Sequence, residues 1–150
     1  MAVPSPAARR KARHYAMQGL YQWQLSKLEP REIIRQFREE YDMRHVDRAY
    51  FEELVTNIPA RAEDLDKSFA GLLRDRSLTE LDPITLSLLR MAIYEMSSRI
   101  DVPYKVVINE AVSLAKKFGA TDSHKFINGV LDKAAVTHRP LEVQAANGVK

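Results

Sequence analysis

An all-α fold follows from three observations on this 150-residue sequence. Apolar residues recur every three or four positions through most of the chain, the period of a helix with one buried face. No segment alternates apolar and polar residues between hairpin turns, so no sheet is needed; the β-like run Val106-Val107-Ile108 sits inside a helical period. Prolines, glycines and short polar residues fall where such helices would begin and end. The expectation is a single compact domain of about seven helices over residues 7–136. A flexible arm at residues 1–6 precedes it, and a flexible tail at residues 137–150 follows.

The elements take shape in order. Residues 7–28 carry Ala12, Ala16, Gly19, Leu20 and Trp23 on one stripe, with Leu20 and Trp23 as core anchors, and Pro30 ends the segment. A second helix, residues 31–41, turns Ile33, Ile34 and Phe37 inward. Asp47 is a reasonable cap for a third, with Tyr50, Phe51, Leu54, Val55 and Ile58 in register until Pro59 breaks the pattern. The fourth, residues 60–73, uses Ala62, Leu65 and Phe69, and a polar link follows at residues 74–81. Asp82-Pro83 then opens a fifth helix, residues 84–99, that is apolar almost all round and so belongs at the centre of a bundle. Glu95 lies on a face of that helix shared with Ile84, Leu88 and Met91. A carboxylate there needs partners, and the reading is a structural hydrogen-bond acceptor.

Residues 101–134 read as a helical hairpin with marked ends. Pro103 suits a first helical position. Tyr104, Ile108, Ala111, Ala115 and Phe118 form the sixth helix's stripe, Lys116 and Lys117 sit at its negative end, and Gly119 can supply a left-handed stop. Asp122 and Ser123 are N-cap candidates for the seventh helix, whose apolar face holds Phe126, Ile127, Val130, Leu131 and Ala134. Gly129 costs that helix about 1 kcal/mol relative to alanine, and close packing by a neighbouring helix would explain it.

Composition narrows the function. Apolar content of 45% and charged content of 29% are those of an ordinary globular domain. With no cysteine, disulfides and thiolate metal sites are excluded, and a reducing cytoplasm fits. No stretch is apolar enough to span a bilayer, and the first thirty residues lack the apolar core of a signal peptide. His14, His45, His124 and His138 have no metal-ligand spacing, and the five glycines form no phosphate loop. Asp122-Ser123-His124 holds triad residue types, but triads assemble from separated elements, and helix capping explains the aspartate and serine better. No catalytic residue, metal or cofactor is expected.

The charge is unevenly placed. Residues 1–28 contain Arg9, Arg10, Lys11, Arg13 and Lys27 without a single acid, leaving 18 basic against 20 acidic residues in the remainder. Four cations within two helical turns suit successive phosphates. A solvated charged face and an organelle transit peptide are the competing readings. Leu20 and Trp23 as core anchors, and the shortage of serine, argue against the second.

Two blocks, ARRKARHYAMQGLYQWQLS and DVPYKVVINEAVSLAKKFGATDSHKFINGVLDKAA, resemble the bacterial transcription antitermination factor NusB family, over residues 7–135. The resemblance implies two small helical bundles, no catalysis, and binding of boxA, a short single-stranded RNA element of ribosomal RNA leaders. It implies a heterodimer with NusE, a small-subunit ribosomal protein, that loads RNA onto RNA polymerase together with NusA and NusG. By position, Arg9, Arg10, Lys11 and Arg13 match the family's arginine-rich motif, with lysine at residue 11 where arginine is commoner. Tyr21 matches its first-helix aromatic, and Asp122, Ser123, His124, Lys125 and Phe126 its DSHKF motif. The implied RNA contacts are the four cations with Tyr21, Asp122, Lys125 and Phe126. The implied NusE face is residues 79–94. Stacking on aromatics and neutralising phosphates is how single-stranded RNA is held; for Phe126 core packing fits the spacing equally well. NusB-like domains also precede ribosomal RNA methyltransferases, so service to a separate enzyme is an alternative, as is a purely structural homodimer.

Overall fold

The computed structural model describes residues 4–148, and among them every regular element is helical. Eight α-helices occur: α1 (Pro6–Ser26), α2 (Pro30–Glu40), α3 (Arg48–Ala60), α4 (Ala62–Phe69), α5 (Pro83–Ser98), α6 (Tyr104–Phe118), α7 (Ser123–His138) and α8 (Pro140–Ala146). The chain divides into two compact units, with the boundary between Ala62 and Glu63 at the start of α4. That division corresponds to two small bundles. No helix among the described residues is long and apolar enough to cross a membrane.

The first unit is a bundle of α1, α2 and α3. Helix α1 begins where expected: Ser5 accepts the Ala8 amide on its Oγ at 3.0 Å, and Pro6 occupies the first turn. Its buried side holds Ala12, Ala16 and Leu20. A Cβ on Gly19 would lie 3.2 Å from Ile33 Cγ2 and 3.4 Å from Val55 Cγ2, so glycine there lets α2 and α3 close on α1. Tyr15, Phe37, Tyr41 and Phe51 stack at centroid distances of 5.0 to 6.3 Å and close one end of this core. Trp23 departs from expectation. It is half-buried and carries Lys27 Nζ 4.6 Å from its ring centroid, so Leu20 alone anchors that stripe. Pro59 sits inside the last turn of α3, which ends one residue later.

The second unit is built round α5. Ten of its sixteen residues are buried, including Leu88, Leu89, Met91, Ile93 and Met96, and α6 and α7 pack on it and on each other. Asp82 caps it through the Thr85 amide at 2.9 Å. Glu95 is 1% exposed and engaged in polar interaction within the protein, as a buried carboxylate must be. Between α4 and α5 the polar link holds a 3₁₀ turn, Leu78–Glu80, closed by a reciprocal pair of bonds between Ser77 and Glu80. The Ser77 amide and hydroxyl hold the Glu80 carboxyl below the usual carboxylate range.

Three expectations change in the second unit. The tail expected to be flexible from residue 137 is helical: α7 runs to His138 and α8 follows (residues 149 and 150 lie outside the described part). The reason is Arg139, 5% exposed, which donates from Nε to Met96 O at 2.8 Å and from Nη2 to Arg99 O at 2.9 Å and Glu95 O at 3.3 Å. It also pairs with Glu142, whose other oxygen accepts the Tyr104 amide at 3.1 Å. One arginine thus caps the C-terminus of α5, and its partner caps the N-terminus of α6. Gly119 is not left-handed; its backbone is extended, with φ −87° and ψ 172°. Glycine is required because a Cβ would meet Ser123 Oγ at 2.4 Å and Ala115 O at 2.7 Å. Gly129 admits no neighbouring helix, since nothing lies within 4 Å of where its Cβ would be.

Candidate nucleic-acid interface

The basic run occupies the first two turns of α1, where the helix end is itself positive and no acid intervenes. Its four cations separate into two kinds. Arg9 Nε pairs with Asp47 Oδ2 at 3.1 Å, and its guanidinium lies 4.1 Å from the centre of the Tyr50 ring. Arg13, 4% exposed, lies 5.5 Å from the same ring centre. Asp47 meanwhile caps α3 by accepting the Tyr50 amide at 3.1 Å. These two arginines fasten α1 to α3. Arg10 and Lys11 are exposed. Tyr21 stands three turns beyond Arg10, about 16 Å along the axis, and is 36% exposed. The exposed members of the set therefore form a cationic start and an aromatic further along.

Lys11 also lines an open cleft with Ser5, Arg44, His45 and Arg48. Arg44 and His45 lie on the connection from α2, and Arg48 is the first residue of α3. The Asp47 amide bonds Ala8 O at 3.1 Å, which brings this short basic segment against the start of α1. Sequence patterning gave no reason to join the two, because the acids Asp42 and Asp47 balance the charge locally and the proximity comes only from the packing of α1 on α3. Arg44 is held by Asp42, whose carboxyl it lowers strongly through side-chain and backbone hydrogen bonds.

The DSHKF segment opens α7. Asp122 is left-handed, φ 67°, and its side chain makes no capping bond, because capping requires an extended backbone at that position. Neither expected cap is made by a side chain. The Asp122 carboxylate instead lies 3.5 Å from Lys125 Nζ, with both side chains largely exposed. Ser123 Oγ is buried without a hydrogen-bond partner. The first turn rests on backbone bonds, Ser123 N to Ala120 O and Lys125 N to Asp122 O. Phe126 is half-buried, and the Arg76 guanidinium lies 4.3 Å from its ring centre. Sequence reasoning does not single out that arginine, since nothing in a polar link foretells which side chain reaches an aromatic fifty residues on. His124 is half-buried, and no metal-binding cluster occurs among the described residues.

Within residues 79–94 most of α5 is inaccessible. Tyr94, Leu88 and Leu89 are buried, while Thr79, Glu80 and Asp82 are exposed or partly so and Ile84, Leu86 and Arg90 are half-buried. Arg90 forms a two-pronged pair with Asp66, both bonds at 2.8 Å.

Two small helical bundles without a strand among the described residues define an all-α protein of the helical-bundle class. Comparison with known proteins makes this specific. The model of the NusB family matches residues 10–136. A transcription antitermination protein NusB from Saccharophagus degradans is 54% identical over 141 residues, covering 94% of each chain. Another of that name from Teredinibacter turnerae is 54% identical over 140 residues, covering 93% of this chain and 95% of the relative. Among solved structures, a NusB from T. maritima superposes with a TM-score of 0.77 at 29% identity, covering 93% and 97% of the two chains. The chain belongs to the NusB family. It is a factor of transcription antitermination and not an enzyme.

Proposed function

We propose that the protein binds boxA single-stranded RNA and does so as a heterodimer with NusE, helping to load the antitermination complex on RNA polymerase and so supporting ribosomal RNA transcription. The observation that carries this reading is the exposed pair Arg10 and Lys11 on an acid-free helix start, with the exposed Tyr21 ring three turns along the same helix. Phosphates take the cations and an unstacked base takes the ring. Arg9 and Arg13 act mainly by holding α1 on α3. In the second unit Lys125 and Phe126 supply a cation and an aromatic, and Asp122 sets the lysine's position. Each unit contributes its own contacts to the RNA.

The NusE surface in this reading is the accessible part of residues 79–94. NusA and NusG join in the larger complex. A cytoplasmic setting goes with those partners.

The test is a titration of boxA RNA against a scrambled RNA, with and without NusE. The expected result is preference for boxA that NusE strengthens. Arg10→Ala and Lys125→Ala each weaken binding, and each shallows the plot of log K against log salt by about 0.7 for a lost phosphate contact. Equal affinity for both RNAs, or wild-type affinity in both folded variants, overturns the assignment. Failure of the chain to form a heterodimer in sedimentation with NusE overturns the partner.

A further inference from the structure

A groove on the second unit starts at Lys125 and Phe126 and extends to residues that this account does not use. It runs between the chain just after α4 and the outer face of α7, encloses about 170 Å³, and is floored by Leu72 and Val130. Arg74, Lys125 and Lys133 line it, and among the described residues that line it none is acidic. Lys125 and Lys133 are two turns apart on α7, about 12 Å along the axis, with Gly129 midway between them. The Phe126 ring stands at its edge under the Arg76 guanidinium.

Two features of this groove carry a conformational cost. Gly129 weakens a helix interior, yet no neighbour occupies the space its side chain would fill. Arg74 is left-handed, φ 61°, where a side chain with a Cβ is strained. The glycine keeps the middle of the groove open, and the strained backbone brings a guanidinium to its wall. The volume suits one planar base and falls short of an ordinary cofactor pocket. Cations at the wall and both ends, an aromatic with an arginine plane over it, and an apolar floor are the requirements for holding one nucleotide of a single strand without reading its sequence.

We propose that this groove is a further nucleotide subsite, in which Arg74 and Lys133 hold phosphates of the RNA flanking boxA and a base lies over the open helix face at Gly129 beside Phe126 and Arg76. This rests on the RNA-binding reading above and extends its footprint along α7 to residues outside the DSHKF motif.

The experiment uses the full chain with NusE and two RNAs, boxA alone and boxA with unrelated single-stranded flanks. Gly129→Leu fills the groove with a better helix former, so the variant should melt at or above the wild-type temperature. It is expected to bind the flanked RNA roughly fivefold or more weaker, as for the loss of one stacked base, with boxA alone affected less. Arg74→Ala with Lys133→Ala should shallow the salt slope on the flanked RNA by about 1.4, whatever the flank sequence. If wild type prefers boxA but the flanked RNA binds these folded variants with unchanged affinity and slope, the subsite is overturned and the boxA reading stands. If wild type shows no preference for boxA, the boxA reading fails. If RNA binding is intact and only NusE binding drops, the groove docks protein and the proposal is overturned.

Discussion

Replacing Arg139 with methionine isolates the polar role of one buried side chain, because the apolar stem is kept and the donors are removed. The losses can be counted from the geometry. Met96 O receives Arg139 Nε and would be left without that partner beside a buried residue, which costs about 1–3 kcal/mol. Glu95 O and Arg99 O keep backbone donors, the amides of Arg99 and Val102, so each loses only a supplementary bond of about 0.5–1 kcal/mol. The Glu142 carboxylate is 38% exposed and keeps the Tyr104 amide, so the ion pair adds at most about 1 kcal/mol. Together these come to about 2–6 kcal/mol, or roughly 4–24 °C in melting temperature for a chain of this size. Urea denaturation followed by circular dichroism gives the free energy. Amide hydrogen exchange at Arg99, Val102 and Val107 shows where the loss acts, since these amides close the turns that Arg139 and Glu142 cap. Glu142→Gln in the same assay should cost no more than about 1 kcal/mol. A loss below about 1 kcal/mol for Arg139→Met, or protection unchanged at those amides, refutes the claim that the C-terminal segment secures α5 and α6.

Arg13→Ala should lower thermal stability by about 1–2 kcal/mol, through its lost place against Tyr50, whereas Arg10→Ala, at an exposed position, should cost less stability while weakening RNA binding. Gly119→Ala should destabilise by about 1–3 kcal/mol, since its methyl group meets Ala115 O and Ser123 Oγ; an unaltered melting curve would show that the turn yields freely. Ser123→Ala removes a buried hydroxyl that lacks a partner and should be neutral or stabilising by up to about 1 kcal/mol in urea titration. Acid should weaken the fold at two groups. Burial, then the neighbouring Arg139, lowers the His138 pKa, so the unfolded chain takes up that proton more readily and stability declines as pH falls from about 6.5 to the lowered folded value. Burial pushes the Glu142 carboxyl up, but the Tyr104 amide and Arg139 outweigh it; its lowered pKa gives stability that is full above about 4.5 and lost as pH falls through the folded value. Urea midpoints from about pH 7 to 3 should drop less steeply below about pH 4.5 in Glu142→Gln than in wild type.

What was legible in the sequence was whatever one helix encodes within itself. Asp82-Pro83, Asp47 and Pro30 mark helix starts by local backbone chemistry, and α5 announces its central place by being apolar on every side. The residues misjudged were those whose role depends on a distant neighbour. Nothing near Arg139 in sequence says that the end of α5, forty residues earlier, will present carbonyls to it. Pro140 and scattered polar residues look like a fraying end until those acceptors are known. Asp122 has the right residue type for a cap, but the backbone there is left-handed, a conformation that residue type does not foretell.

The same distinction explains why the candidate site was only half legible. A run such as Arg9-Arg10-Lys11-x-Arg13 declares its charge, but charge alone does not tell an arginine that meets a ligand from one that holds a helix in place. A helix turns about 100° per residue, so Arg9 and Arg13 share a face, and Asp47 and Tyr50 on α3 claim that face. Arg10, one step round, reaches solvent. Burial on one side therefore sorts the motif into fastening and exposed members. A charge-preserving change should act differently on the two: lysine at position 13 loses the guanidinium 5.5 Å from the Tyr50 ring centre, whereas lysine at position 10 keeps most of a phosphate contact. Lysine already stands at position 11, among the exposed members, where a point charge serves.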